Sequence, residues 1–194
     1  MTAPEPDPID IAIRVAKAIE GVSGTYFVGG SVASSLQGDP RATNDIDFIV
    51  SLPVGGERAL RDALGADFEL DVDALHEALR RSSSMNAFFL PLLTKIDLFG
   101  LGREPYDQME FSRRRPVAVR STGETLVVKS PEDTVLRKLL WYRAGGEVSD
   151  KQWRDVVSVL RVSSAVLDPA YLGDWSQRLS CADLLARARA DAAR

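Results

Sequence analysis

Two acids, Asp45 and Asp47, stand one residue apart in an otherwise apolar run, DIDFIVSL. β-branched and aromatic residues on this alternation read as a half-buried strand. Strand side chains alternate faces, so Ile46, Phe48 and Val50 point to a core while Asp45 and Asp47 share the other face. Their Cα atoms then lie ~6.6 Å apart, and both carboxylates converge on one small volume. Like charges this close raise each other's pKa unless a cation offsets them. The bland alternative is a solvated strand face with two unrelated acids.

The preceding residues favour the first reading. TYFV reads as a strand, Gly29-Gly30 as a turn, and Ser31 as the cap of a helix that stops at Gly38. A glycine turn at a helix N-terminus lets backbone N–H groups approach an anion closely. A third acid, Asp97, lies in TKIDLF, where Ile96 and Leu98 face one way and Lys95, Asp97 and Phe99 the other. If the two acid-bearing strands are neighbours, Asp97 joins Asp45 and Asp47. Such a triad suits Mg²⁺ (or Mn²⁺), a hard cation that takes carboxylate, water and phosphate oxygens. Paired alone with Lys95, Asp97 would be an ordinary surface acid.

Helical spacing predicts helices over 9–20, through ERALRDAL, up to Arg81 after a cap at Asp71 or Asp73, and over PYDQMEFSRR. RPVAV and ETLVVKS read as a hairpin. From Ser130 onward the pattern is helical only, starting with a serine cap, Pro131, Glu132 and Asp133. The expected fold is α+β: a small mixed sheet flanked by helices over 9–129, then a C-terminal helical subdomain over 130–194 packed on it, with residues 1–8 a disordered tail. At 194 residues the chain can bury a good core. A net charge of −4 gives no global nucleic-acid signature, though a local basic groove is not excluded. The single cysteine, Cys181, excludes an internal disulfide and fits a reducing, cytoplasmic setting. No membrane span and no signal-peptide pattern are present.

Val28-Gly29-Gly30-Ser31, Asp45-Ile46-Asp47-Phe48 and Ile96-Asp97-Leu98 together resemble the DNA polymerase β-like nucleotidyltransferase superfamily, over about residues 25–100. Arg41-Ala42-Thr43-Asn44-Asp45-Ile46-Asp47-Phe48, Ser130-Pro131-Glu132 with Lys138, and Arg154-Asp155 make the chain similar to the AbiEii/MenT toxin group, to about residue 160. Ser158 stands where that group usually has a further acid.

The resemblance implies transfer of a nucleoside monophosphate from an NTP to an acceptor, an RNA such as tRNA, by the toxin of a toxin–antitoxin pair with an antitoxin protein as partner. It implies Asp45, Asp47 and Asp97 as metal ligands, with Asp97 alternatively taking the acceptor's proton. Gly29, Gly30, Ser31 and Arg41 are implied as nucleotide contacts. Lys138 would neutralise the triphosphate, and Asp155 would orient Lys138 or meet the acceptor. The same chemistry on a small acceptor such as an aminoglycoside, or a catalytically silent nucleotide-binding module, are the competing readings. His76, Trp141, Tyr142 and Trp153 read as structural or packing residues, Arg113-Arg114-Arg115 as a solvated charge run, and Cys181 as lacking catalytic context.

Overall fold

The computed structural model describes residues 5–41, 43 and 45–194. The chain divides into two compact units, Met1–Val32 with Ala42–Lys129, and Ala33–Arg41 with Ser130–Arg194. Pattern alone places 33–41 with the sheet. No helix among the described residues is long and apolar enough to cross a membrane.

The first unit contains, in chain order, α1 (Pro8–Gly21), β1 (Thr25–Val28), the start of α2 (Gly30–Gln37), β2 (Ile46–Ser51), α3 (Gly56–Leu64), β3 (Phe68–Glu69), α4 (Val72–Arg81), β4 (Ser84–Phe89), β5 (Thr94–Gly100), α5 (Pro105–Ser112), β6 (Arg115–Ala118) and β7 (Thr125–Val128). The strands form one mixed sheet in the order β3-β4-β5-β2-β1-β7-β6. β2 lies antiparallel to β1 and parallel to β5. The expected hairpin is β6–β7, and the expected α+β class holds. The two-residue strand β3 has no sequence signal of its own.

Alternation along the central strands builds the core. Ile46, Phe48, Val50, Ile96 and Leu98 are at most 1% exposed, while Asp47, Ile49, Asp97 and Phe99 between them are partly exposed. Tyr26 meets Phe48 at 5.5 Å between ring centroids, and Phe27 meets Phe111 at 5.8 Å. Each fully buried side chain of this size contributes roughly 1.5–3 kcal/mol, which fixes strand register firmly.

One detail at the N-terminus differs from expectation. Residues 1–4 of the expected disordered tail lie outside the described residues. Asp7 and Pro8, however, start α1: the Asp7 carboxylate accepts from the Ile9 and Asp10 amides, and the Asp10 carboxylate accepts from the Asp7 amide. Arg120 pairs with both acids.

The second unit holds the rest of α2 with its following loop, then α6 (Pro131–Ala144), α7 (Asp150–Val162), α8 (Pro169–Arg178) and α9 (Ala182–Ala192). Its core is Val135, Leu136, Leu139, Val156, Val159, Leu172 and Leu185. Ser130 caps α6 as expected. Glu132 and Asp133 do more than complement the helix dipole, because both are buried and tie α6 to α8. Glu132 accepts from the Asp168 amide at 2.8 Å, and Asp133 from the Tyr171 hydroxyl at 2.7 Å. Trp141 is 41% exposed, so the packing role expected for it does not hold. Tyr142 and Trp153 do pack, with ring centroids 5.1 Å apart.

Candidate functional site

Parallel pairing of β2 with β5 sets Asp47 directly beside Asp97. Side chains paired across a ladder point to one face. Asn86 on β4 pairs with Asp97 from the other side, and the Gly29 amide donates to the Asp47 carbonyl at 2.9 Å. Asn86, Asp97, Asp47 and Gly29 therefore form a row across β4, β5, β2 and the residue that follows β1. Sequence reasoning missed Asn86, because only the register of β4 puts it there.

Gly30 explains why the glycine turn and the paired acids occur together. Its φ is +52°, a region that strains any residue with a Cβ. A Cβ built there would also overlap the Asp47 carboxylate. The space expected to admit a phosphate is thus first used by Asp47. Gly29 and Gly30 are buried, and Ser31 lies inside the first turn of α2 rather than capping it from outside.

Charge at the row is unbalanced. Burial first, and the neighbouring Asp97 charge next, push the Asp47 carboxyl above its ordinary range, with Asp45 acting the same way. Lys129 and Lys95 pull it back in part. Lys129, which sequence reasoning also missed, follows β7, has a side chain only 3% exposed, and pairs with buried Glu110 at 3.2 Å. A run of alternating residues ending in a lysine gives no signal that the ammonium turns inward.

Asp45 falls one residue before β2, with its side chain 54% exposed. Lys95 Nζ sits 2.8 Å from Asp97 Oδ2 and 4.0 Å from Asp45 Oδ1. Among the described residues, no group of three or more acidic, histidine or cysteine side chains is drawn up to hold a metal ion. The expected triad is therefore one face of acids with a lysine among them, not a ready-made three-ligand site. The donor set still suits a divalent cation. Asp47 and Asp97 are hard oxygen ligands on adjacent strands, and the Asp97 charge adds to the burial that disfavours the charged Asp47 carboxylate.

The remaining candidates gather around one carboxylate in the second unit. Asp155 accepts from Lys138 at 2.7 Å, from Arg41 Nε and Nη2 at 3.0 Å each, and from Ser34 Oγ at 3.2 Å. Gln152 takes a further Lys138 hydrogen bond at 3.0 Å. Burial alone would raise the Asp155 pKa, but the Arg41 hydrogen bonds and the Lys138 ammonium outweigh it, and the net shift is downward. The Lys138 side chain is 3% exposed. An open ammonium reaching for a triphosphate does not describe it. Asp155 and Gln152 together take up the Lys138 ammonium. Ala42 and Asn44 of the Arg41–Asp47 motif lie outside the described residues.

Ser158, which stands in place of a second acid, donates to Asp39 Oδ2 at 2.7 Å and accepts from the Asp39 amide at 2.6 Å. An acid there would face the Asp39 carboxylate. His76 Nδ1 is 3.0 Å from Glu57 Oε1, and the Arg114 guanidinium stacks 3.9 Å over Phe111. Both are local contacts. Cys181 is fully buried, which pushes its thiol up to about 11 and leaves it unreactive.

No protein-family model matches the sequence, and no curated protein matches it significantly. Among solved structures, an antigenic nucleotidyltransferase-like protein from Paracoccidioides brasiliensis shares the fold, with a TM-score of 0.61 at 18% identity over 95% of this chain and 91% of that one. The antibiotic-resistance factor ANT(2'')-Ia is also similar, with a TM-score of 0.52 at 14% identity over 95% of this chain and 96% of that one. The chain has a nucleotidyltransferase-like fold.

Proposed function

We propose that the chain is a nucleotidyltransferase, moving a nucleoside monophosphate from an NTP to an acceptor, and that the acceptor is an RNA such as tRNA. The observation that carries this reading is the in-register pairing of Asp47 with Asp97, with the Gly30 turn closed against Asp47. Two further features support it: the nucleotidyltransferase-like fold and the motif pattern from Val28 to Leu98.

In this reading a Mg²⁺ ion held by Asp47 and Asp97, with Asp45 alongside, supplies charge neutralisation for the triphosphate. The protein's own residues do the rest. Gly30, lacking a Cβ, leaves the room that the Asp47 carboxylate occupies. As an alternative to binding the ion, Asp97, 14% exposed at its side chain, would take the acceptor hydroxyl's proton. The Glu110-paired Lys129 limits how far the row's negative charge climbs. Asp155 holds Arg41 and Lys138 in fixed positions.

A toxin role, with an antitoxin partner, rests on the Arg41–Phe48 and Ser130–Lys138 resemblance. A small-molecule acceptor is the second reading, favoured by the likeness to an antibiotic-resistance factor. The test is incubation with α-labelled NTPs, Mg²⁺ and total tRNA. Label on RNA, lost in Asp47→Ala, is expected. No transfer from any NTP contradicts the reading. Expression that confers drug resistance without growth arrest would favour the small-molecule acceptor.

A further inference from the structure

We propose that Lys95 is a tethered counter-ion that occupies the cation position among the carboxylates and sets how tightly a metal ion binds there. The inference rests on the metal-dependent reading above.

Lys95 lies two residues before Asp97 on β5, so both side chains emerge from the same face. Its ammonium meets Asp97 at 2.8 Å and stands 4.0 Å from Asp45. One lysine thus stands beside two of the three acids.

An ammonium can neutralise a carboxylate but offers no lone pair for a metal to use. A divalent ion that takes Asp97 must therefore break this pair, and part of its binding energy goes into displacing the lysine. The displaced side chain has somewhere to go. It is 40% exposed, its four-carbon stem is flexible, and a cavity of about 380 Å³ opens beside it. Asp45, Thr94 and Lys95 itself line that cavity together with apolar residues such as Ile11 and Leu92. A pre-bound internal cation keeps the acid row tolerable in the metal-free protein, and it holds metal affinity below what three acids alone would give.

The test measures Mn²⁺ binding directly, from the free-ion electron paramagnetic resonance signal, with no nucleotide present. Wild type, Lys95→Met, Lys95→Arg and Asp47→Asn are compared. Removing about one unit charge from a half-exposed site should tighten Mn²⁺ binding by roughly fivefold to tenfold in Lys95→Met. Lys95→Arg keeps the charge and should bind no tighter than wild type. Metal-free Lys95→Met should melt below wild type, and Mn²⁺ should raise its melting temperature by more. Equal or weaker Mn²⁺ binding by Lys95→Met, with binding abolished in Asp47→Asn, overturns the role of Lys95 alone. No Mn²⁺ bound by any of the four overturns the metal reading and this inference together.

Discussion

Asp47 is a partly buried aspartate and Asp155 a buried one, and their surroundings are opposite in kind. Asp155 accepts from a lysine, an arginine and a serine, and its pKa is lowered. Asp47 sits beside another carboxylate, and its pKa is raised. The first stabilises its unit in the charged form. For the second, burial and the neighbouring carboxylate disfavour the charged form. Strained, like-charged groups concentrate where chemistry or ligand binding needs them, whereas satisfied ion pairs are as often structural. In the proposed reading the sheet row of the first unit is the reactive centre, and the Asp155 cluster is an ion-pair network internal to the second unit.

The comparison is broken most severely at Asp155. Asp155→Ala leaves Lys138 and Arg41 without their shared acceptor, and loss of one partner from a buried pair costs about 3–5 kcal/mol. Urea denaturation measures this. A change near zero would mean that the cluster is not structural. Gly30→Ala comes next. A Cβ at positive φ costs about 1–2 kcal/mol before any clash. The overlap with Asp47 adds to that, so the same substitution in an Asp47→Ala background should cost less. Equal costs in both backgrounds would separate the glycine from the acid.

Acidification tests the sign. A carboxyl with a lowered folded pKa contributes stability above its unfolded value of 3.8, and that stability is lost as pH falls below it. Asp47, raised, behaves oppositely: its penalty applies at neutral pH and is relieved as the pH falls through its raised folded pKa. Asp155→Asn should therefore flatten the acid limb of the stability curve, followed by circular dichroism, and Asp47→Asn should not. The smallest effect is at Cys181. Its buried, raised thiol should resist a thiol reagent at pH 8 until the protein unfolds, and rapid labelling would contradict its burial.

Alternation in DIDFIVSL and TKIDLF made visible which faces carry acids and which carry core, and caps and glycines marked the helices. Strand neighbours were not visible. That Asp47 lies against Asp97 depends on a parallel pairing between segments some fifty residues apart, which no local pattern encodes. Lys95 was legible as a partner of Asp97, but not that the same ammonium also stands near Asp45. Arg41 and Asp155 are 114 residues apart, so their bidentate pairing belongs to tertiary structure. Trp141 was misread because α6 is buried on several faces, and helical spacing could not tell its one exposed aromatic from the rest.

The most direct test of the contrast is the stability of Asp47→Asn at neutral pH in metal-free buffer. The substitution keeps the side chain's shape against Gly30 and removes one of two adjacent charges. The account predicts a protein stabilised by about 1 kcal/mol that has lost nucleotidyl transfer, the usual signature of a functional group held against the fold's interest. An Asp47→Asn protein that is destabilised, as Asp155→Asn should be, would contradict it.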